Sequence, residues 1–367
     1  MKLITDVALS AESQPDPYIL EAGGKFYIYA TSGYGVAVYR SDNLFGGYEK
    51  LGETGHIEGR TAYWAPSVIE MDGKFYMYVS CMPEDSDDAH DQAMFVLTAD
   101  KPEGPFGDAK QILPPFSIDS HIVKNDAGLF LFYSCNDYES RMGGTYIVVD
   151  RMLDPYTPEG KPVSVIRPTL VQELREKHRF APDKDWYTVE GAFYVRKGDW
   201  HYVLYSGNCF ENEYYFVGYA YAHTPENDLT KIKFQKYPSD DVYRPLLSKN
   251  AFEEGTGHNS VIEYNGEYYA VYHARDWGKI GKEYTECRTA RICKLHLDNE
   301  RITAERYEDK VNARLFLRHS GRRRNGFGVL QAGQTQIFCR GGDDLLYNRF
   351  YRESAGDAGD NIPYRRG

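Results

Sequence analysis

The sequence predicts an all-β protein, a five-bladed β-propeller, from a repeated template and from its spacing. The template is an apolar strand, a turn with glycine at or beside its tip, and an aromatic strand. It begins at Asp16, Ala65, Asp119, Glu190 and His258. The first intervals are close to 50 residues, a period that is typical of four-stranded propeller blades.

The template supplies the inner half of each blade, and the segments that follow supply the outer half. These outer segments alternate in polarity, have Gly, Asn or Pro at their joints, and begin at Gly35, Ala93, Thr145, Phe216 and Thr289. Alternation bounded by such residues indicates strands and turns. Four strands in each of five units predict one propeller domain over residues 1–308.

Two insertions interrupt the repeat, and the chain ends in an atypical segment. Residues 170–180 are predicted to form a short amphipathic helix within an insertion at 167–187, and residues 84–92 form an acidic loop. Residues 309–367 are Arg- and Gly-rich, and the part from residue 311 contains ten Arg and no Lys. This C-terminal segment is predicted to lie outside the propeller.

Bulk composition excludes several classes of function. A net charge of −11 argues against a nucleic-acid or anionic membrane surface, because phosphate binding needs a basic face. No apolar run is long enough to span a bilayer, and no leader is recognised, so a cytoplasmic location is expected unless the chain was trimmed. The six cysteines are scattered without metal-binding spacing, which predicts free thiols.

Three of the five template positions hold carboxylates, which a propeller would gather at one end of its channel. Glycoside hydrolysis needs one carboxylic acid to protonate the leaving oxygen and one carboxylate to activate water. Glu190 has the longer reach and is predicted to be the acid, and Asp16 the base. Asp119 would raise the pKa of the acid and orient it.

Five short motifs resemble the blade-opening motifs of glycoside hydrolase family 43. They are Pro15-Asp-Pro, Trp64-Ala-Pro-Ser, Ile118-Asp-Ser, Val189-Glu-Gly and Gly257-His-Asn-Ser. The resemblance covers about residues 12–300. It implies a five-bladed propeller, inversion at the anomeric carbon, and a base, a pKa modulator and an acid at Asp16, Asp119 and Glu190. The implied substrates are α-L-arabinofuranosides, β-D-xylosides, arabinans or galactans.

Other residues are weaker candidates for contact with a sugar. His258 occupies the fifth template position, where it would contact substrate or hold a channel cation through water, with Ca²⁺ the candidate and no cofactor required. Arg288 is placed like the sugar-contacting arginine of the family, and its forked donors suit vicinal hydroxyls. Trp64 and Phe116, and more weakly Trp186, Phe210 and Trp277, are candidate walls of a sugar subsite.

The preferred hypothesis is an inverting exo-glycosidase that releases arabinofuranosyl or xylosyl units from short oligosaccharides. The two insertions would close one end of the groove into a pocket. An endo-arabinanase, a galactan-active enzyme and a non-catalytic sugar-binding propeller remain alternatives. A retaining fructosidase-type propeller is disfavoured because Gln14-Pro-Asp-Pro and Arg275-Asp-Trp depart from its motifs. Arabinose or xylose specificity and oligomeric state are left open.

Overall fold

The computed structural model describes residues 13–278 and 287–306, which fold almost entirely into strands. Three four-stranded sheets follow chain order. The first contains β1 (Tyr18–Ala22), β2 (Lys25–Ala30), β3 (Val36–Ser41) and β4 (Glu49–Thr54). The second contains β5 (Arg60–Met71), β6 (Lys74–Pro83), β7 (Ala93–Ala99) and β8 (Gly107–Leu113). The last contains β19 (Glu253–Tyr264), β20 (Glu267–Asp276), β21 (Thr289–Asp298) and β22 (Arg301–Glu305).

The third and fourth blades are joined in one ten-stranded sheet. The third contains β9 (Ile118–Asn125), β10 (Gly128–Asp137) and β11 (Gly144–Asp154), with β12 (Thr157–Pro158) and β13 (Val163–Ile166) both paired to β11. The fourth contains β15 (Lys184–Lys197), β16 (Trp200–Gly207), β17 (Phe216–His223) and β18 (Gln235–Lys236), and β14 (Leu174–Ala181) pairs with β15. A short parallel pairing of β11 with β15, at Gly144 and Thr145, links the two blades.

Each of five buried apolar clusters lies between two neighbouring blades, which identifies the ring. Tyr29 and Met77 belong to the cluster between the first and second blades. The next three clusters contain Tyr78 and Leu131, Phe132 and Tyr205, and Leu204 and Tyr272, respectively. Ile28 and Val271 belong to the cluster between the first and fifth blades, which closes the circle. The predicted five-bladed propeller is confirmed.

Hydrogen bonds reinforce the contact between the fifth and first blades. The Ser260 hydroxyl accepts the Ile19 N–H at 3.0 Å and donates to the Pro17 carbonyl at 2.8 Å. The buried Gln14 side chain accepts the Ala290 N–H at 3.2 Å. The residues just before β1 are therefore fixed to the last blade.

One residue near the start of each blade adopts a left-handed backbone conformation. From the second to the fifth blade it lies at a shift of register in the first strand. The five residues and their φ angles are Asp16 (53°), Ala65 (44°), Asp119 (59°), Gly191 (63°) and His258 (44°). Bulges of this kind turn the chain locally and re-aim side chains, often beside active sites.

The prediction that Glu190 shares the template position of the other blades is wrong by one residue. Asp16 precedes Ala22, the end of its strand, by six residues, and Gly191 precedes Lys197 by the same number. The equivalent of Asp16 is therefore Gly191, and Glu190 comes one residue earlier. Because a bulge lies between Glu190 and the regular part of β15, the carboxylate still reaches the common cavity.

The predicted helix over residues 170–180 is also wrong. Only Val171–Glu173 forms a 3₁₀ turn, and the chain continues as β14, which pairs with β15. The buried Glu173 carboxylate accepts hydrogen bonds from the N–H groups of Thr169 and Leu170. It also forms an ion pair of 2.6 Å with Lys236. This anchor fixes the turn, and pairing with β15 satisfies the backbone that a helix would have satisfied internally.

Some predictions fall outside the described residues. The domain boundary at residue 308 and the segment 309–367 both do, and so does Cys339. The five cysteines that are described are free thiols.

Candidate active site

A cavity of about 490 Å³ opens among the blades, and the three predicted carboxylates line it. Asp16 precedes β1, Asp119 is in β9 and Glu190 is in β15. They come from three different blades, and the bulges at the start of the inner strands bring them to one place. The cavity therefore joins residues that are separated by up to 174 positions in the sequence.

Asp16 is surrounded by cationic and hydrogen-bonding groups. Its Oδ1 lies 3.4 Å from His258 Nδ1 and 3.5 Å from Arg288 Nη1, and its Oδ2 accepts a hydrogen bond of 2.6 Å from the Thr31 hydroxyl. His273 Nδ1 lies 3.1 Å from the Asp16 backbone nitrogen. Burial opposes ionisation, but His258 and Arg288 outweigh it, so the pKa of Asp16 lies well below its ordinary value.

Asp119 and Glu190 are shifted in the opposite direction. Burial, Glu190 and Asp16 raise the pKa of Asp119 well above its usual range, although the Gly191 N–H donates to its Oδ2 at 3.1 Å. Burial also raises the pKa of Glu190, against the lowering effects of Tyr215 and Arg175. Asp119 and Glu190 therefore retain a proton under conditions in which Asp16 is ionised.

Tyr215 orients Glu190, and sequence reasoning missed it. Its hydroxyl donates to Glu190 Oε1 at 2.8 Å, and its ring is nearly parallel to that of His273, with 5.7 Å between centroids. Gly257 makes room for the ring, because a Cβ on Gly257 would come within 1.8 Å of it. Since the chain contains 32 tyrosines, no sequence signal distinguishes this one.

Most of the predicted sugar-contacting residues line the cavity. They are Trp64, Phe116, Trp186, Phe210, His258 and Arg288. The Arg288 guanidinium lies over the Phe210 ring at 4.5 Å, a cation–π contact that fixes it beside Asp16. Trp277 is 62% exposed and is not part of the wall. The cavity also contains Arg175 and Arg179, which the sequence analysis did not single out because it assigned their segment to a helix.

His258 does not fit the predicted Ca²⁺ site. Its Nδ1 faces Asp16, and burial lowers the pKa of the ring. Within residues 13–278 and 287–306, no group of three or more His, Cys, Asp or Glu side chains is arranged to hold a metal ion. Calcium also prefers six to eight oxygen ligands. The described residues therefore give a channel cation at His258 no support.

A five-bladed propeller with carboxylic acids gathered in a central cavity defines a glycoside hydrolase of the propeller class. The sequence model of glycosyl hydrolases family 43 matches residues 7–300, and the chain belongs to this family.

Named relatives and solved structures are similar to this chain. It is 27% identical over 292 residues to an extracellular exo-α-(1→5)-L-arabinofuranosidase of Streptomyces avermitilis, covering 74% of this chain and 56% of that protein. It is 25% identical to a β-xylosidase of Xylanibacter ruminicola, covering 65% and 72%. A thermostable family-43 glycoside hydrolase superposes with a TM-score of 0.64 at 28% identity, covering 80% of this chain and 93% of that structure.

The described part of the chain contains no helix with the length and apolar character needed to cross a bilayer.

Proposed function

We propose that the protein is an inverting, exo-acting glycoside hydrolase that releases terminal α-L-arabinofuranosyl or β-D-xylosyl units from oligosaccharides. The observation that carries the proposal is that Asp16, paired with Arg288, and Glu190 line one cavity, with pKa values shifted in opposite directions. An inverting glycosidase needs one ionised and one protonated carboxyl group at the same time. The similarity to an exo-α-(1→5)-L-arabinofuranosidase and to a β-xylosidase supports the pentosyl substrates.

The proposed reaction is a single displacement. Asp16 takes a proton from water as the water oxygen attacks the anomeric carbon, and Glu190 gives its proton to the departing glycosidic oxygen. Arg288, His258 and Thr31 keep Asp16 ionised and oriented. Asp119 accepts a hydrogen bond of 3.1 Å from the Gly191 N–H, and this contact beside Glu190 is its proposed role in orienting the acid.

Exo action is supported by the way the two insertions meet beside the cavity. His90, from the insertion at 84–92, has its ring 5.7 Å from Phe116 and 5.9 Å from Phe180 of the insertion at 167–187. His90 and Phe116 both line the cavity. An aromatic contact across this side favours a pocket for a chain end over an open groove.

The acid is tested with two pentosides that differ in their leaving group. Glu190→Gln should lower kcat about 10²- to 10⁴-fold on an oligosaccharide, whose alkoxide leaving group needs a proton, and much less on a 4-nitrophenyl pentoside. Asp16→Asn should abolish turnover of both. Proton NMR of the first-formed sugar should give the inverted anomer.

Glu70→Gln is the matched control, because Glu70 is an exposed residue of β5 outside the cavity. An equal loss on both substrates for Glu190→Gln would contradict the acid assignment, and a retained anomer would contradict single displacement. Absence of wild-type turnover on every pentoside, together with measurable sugar binding, would favour a binding propeller. The predicted cytoplasmic location stays a prediction, which fractionation of the native cells tests.

A further inference from the structure

Two arginines that the reaction does not use lie in the wall of the catalytic cavity. Arg175 and Arg179 both belong to β14, in the insertion between the third and fourth blades. Arg175 is close enough to Glu190 to lower the pKa of that carboxyl group. The two arginines are therefore on the Glu190 side of the cavity, where the leaving group of the proposed reaction departs.

The protein itself does not fully balance the charge of Arg179. Its Nε lies 3.7 Å from Glu176, whose side chain is 55% exposed, and an exposed ion pair at this distance contributes little. Its Nη1 is buried and has no hydrogen-bond partner. Burial and the neighbouring Arg175 both lower the pKa of Arg179, so the site holds two like charges at an energetic cost.

The carboxyl groups of the cavity do not supply the missing anion. Three arginines and three carboxylic acids line the cavity, and Arg288 is already paired with Asp16. Among the described residues, Arg179 forms an ion pair with Glu176 and with no carboxyl group of the cavity. Burial opposes the charge of Arg175, but Cys209, Glu190 and Glu211 outweigh it and raise the pKa of Arg175, so Arg179 is the less balanced of the two. The chain as a whole carries a net charge of −11, so two neighbouring arginines in a cavity wall depart from the rest of the molecule.

An aromatic cluster adjoins the two guanidinium groups. Tyr138, Phe180 and Trp186 pack with ring centroids 5.0 to 6.0 Å apart. Tyr138 and Phe180 are each about half exposed. The Arg179 guanidinium lies 5.1 Å from the Phe180 ring and 5.5 Å from the Trp186 ring. Exposed rings offer a surface for the apolar face of a sugar, with Arg179 at its edge.

We propose that Arg175 and Arg179 form a subsite for a uronosyl residue on the leaving-group side of the scissile bond. A sugar carboxylate matches the planar fork of a guanidinium in two parallel hydrogen bonds, and the Arg179 side chain, which lines the cavity, is 17% exposed. The preferred substrate would then be a pentosyl unit attached to an acidic oligosaccharide. This inference rests on the proposed function and specifies its substrate class.

The test compares an oligosaccharide that carries a uronosyl unit on the leaving-group side with the same oligosaccharide after reduction of its carboxyl group. Wild-type kcat/KM should be about tenfold or more higher for the acidic form, because hydrogen bonds to charged groups are stronger than those between neutral groups. Arg179→Gln should bring the ratio close to one, and Arg179→Lys should leave an intermediate ratio because it keeps charge but not the fork. Arg244→Gln, at an exposed arginine outside the cavity, should keep the wild-type ratio.

The outcomes separate this inference from the proposed function. If the reduced substrate is cleaved and the acidic one is cleaved no faster, the uronosyl subsite is wrong while the glycosidase proposal stands. If neither is cleaved, the proposed function itself fails. A ratio that Arg179→Gln leaves unchanged, in a variant with wild-type Tm, also overturns the subsite. A preference for a sulfated analogue over the uronosyl substrate would overturn the choice of a carboxylate.

Discussion

Asp16 and Glu190 carry the same functional group, and their neighbours make them different. Asp16 faces Arg288 and His258, whereas Glu190 accepts a hydrogen bond from the neutral Tyr215 hydroxyl. At Glu190 desolvation raises the pKa and outweighs Tyr215, Arg175 and Arg288, which all favour the ionised form. The proposed division between base and acid therefore depends on residues that take no part in proton transfer.

Tyr215→Phe tests how Glu190 is tuned. The hydrogen bond from Tyr215 stabilises ionised Glu190, so its loss should raise the pKa of that group. Activity requires protonated Glu190 and is lost as pH rises through its pKa. The alkaline limb of the kcat/KM profile should therefore move to higher pH by about one unit.

Tyr78→Phe is the control for this profile. Tyr78 is equally buried, but its hydroxyl donates to the Pro155 carbonyl at 2.8 Å, and it does not line the cavity. The alkaline limb should stay where it is in this variant. An unmoved limb in Tyr215→Phe would show that another group sets the alkaline limb.

Residue types were predictable where chemistry and a local motif coincide. Asp16 and Asp119 stand out because a carboxylate at the start of a repeated strand needs an explanation, and Arg288 because its position resembles that of the family's sugar-contacting arginine. Tyr215 and Arg179 have no such context, since one lies in a loop among many tyrosines and the other in an insertion without a repeat partner. Only the folded chain brings them to the carboxylates.

The bulge at the start of each inner strand is the element that builds the cavity. In a regular strand, successive side chains point to opposite faces, so Glu190 and the residue after it would diverge. The left-handed residue changes that direction, and in the fourth blade it is glycine. A Cβ on Gly191 would lie 3.1 Å from His258 Nδ1, so glycine is needed for space as well as for conformation.

Gly191→Ala and Gly198→Ala form a matched pair. Both glycines have φ near 60°, but a Cβ on Gly198 meets nothing within 4 Å. Each alanine should cost about 1–2 kcal/mol of folding free energy through backbone strain and lower Tm by a few degrees. Only Gly191→Ala should also lower kcat/KM, about tenfold or more, because His258 and Asp119 must shift.

Thermal unfolding and turnover of 4-nitrophenyl pentosides measure both effects. Equal activity of the two alanine variants would refute the role of Gly191 in positioning the site.

The strands themselves were largely predictable, and the insertions were not. Alternation of polarity and turn residues are local signals, which is why the blade strands were found. The one-residue error at Glu190 arose because a bulge adds a residue to the strand, which shifts the template position while the apolar pattern of the sequence stays the same. Residues 170–180 have helix-like periodicity, but the edge of β15 and the buried Glu173–Lys236 ion pair determine their structure. Such tertiary contacts cannot be inferred from a single segment.

At the scale of the whole molecule, ring closure depends on a few buried polar contacts beside the apolar cluster of the first and fifth blades. Gln14 accepts the Ala290 N–H, and its own N–H donates to the Arg288 carbonyl at 2.5 Å. Because Arg288 and Asp16 lie next to these bonds, the contacts that close the ring of blades are adjacent to the proposed catalytic base. The five-fold repeat predicted the ring of blades, but not which residues hold the first and fifth blades together.

Gln14→Ala should lower the free energy of unfolding by about 1–3 kcal/mol, because the buried Ala290 N–H loses its partner. Urea unfolding measures the loss, and Gln111→Ala is the control. Gln111 is exposed in β8, and its side chain bonds only locally to the Leu113 carbonyl at 3.2 Å. Equal stability of both variants would contradict a fastening role for Gln14.

The parallel pairing between β11 and β15 has a consequence for the spacing of the three carboxyl groups. Asp119 and Glu190 belong to the two blades that this pairing joins in one sheet. The first blade, which follows Asp16, is a separate sheet that isolated hydrogen bonds and packed side chains hold to its neighbours. We expect small motions of the ring to change the distance between Asp16 and Glu190, where the attacking water must fit, more than the distance between Asp119 and Glu190.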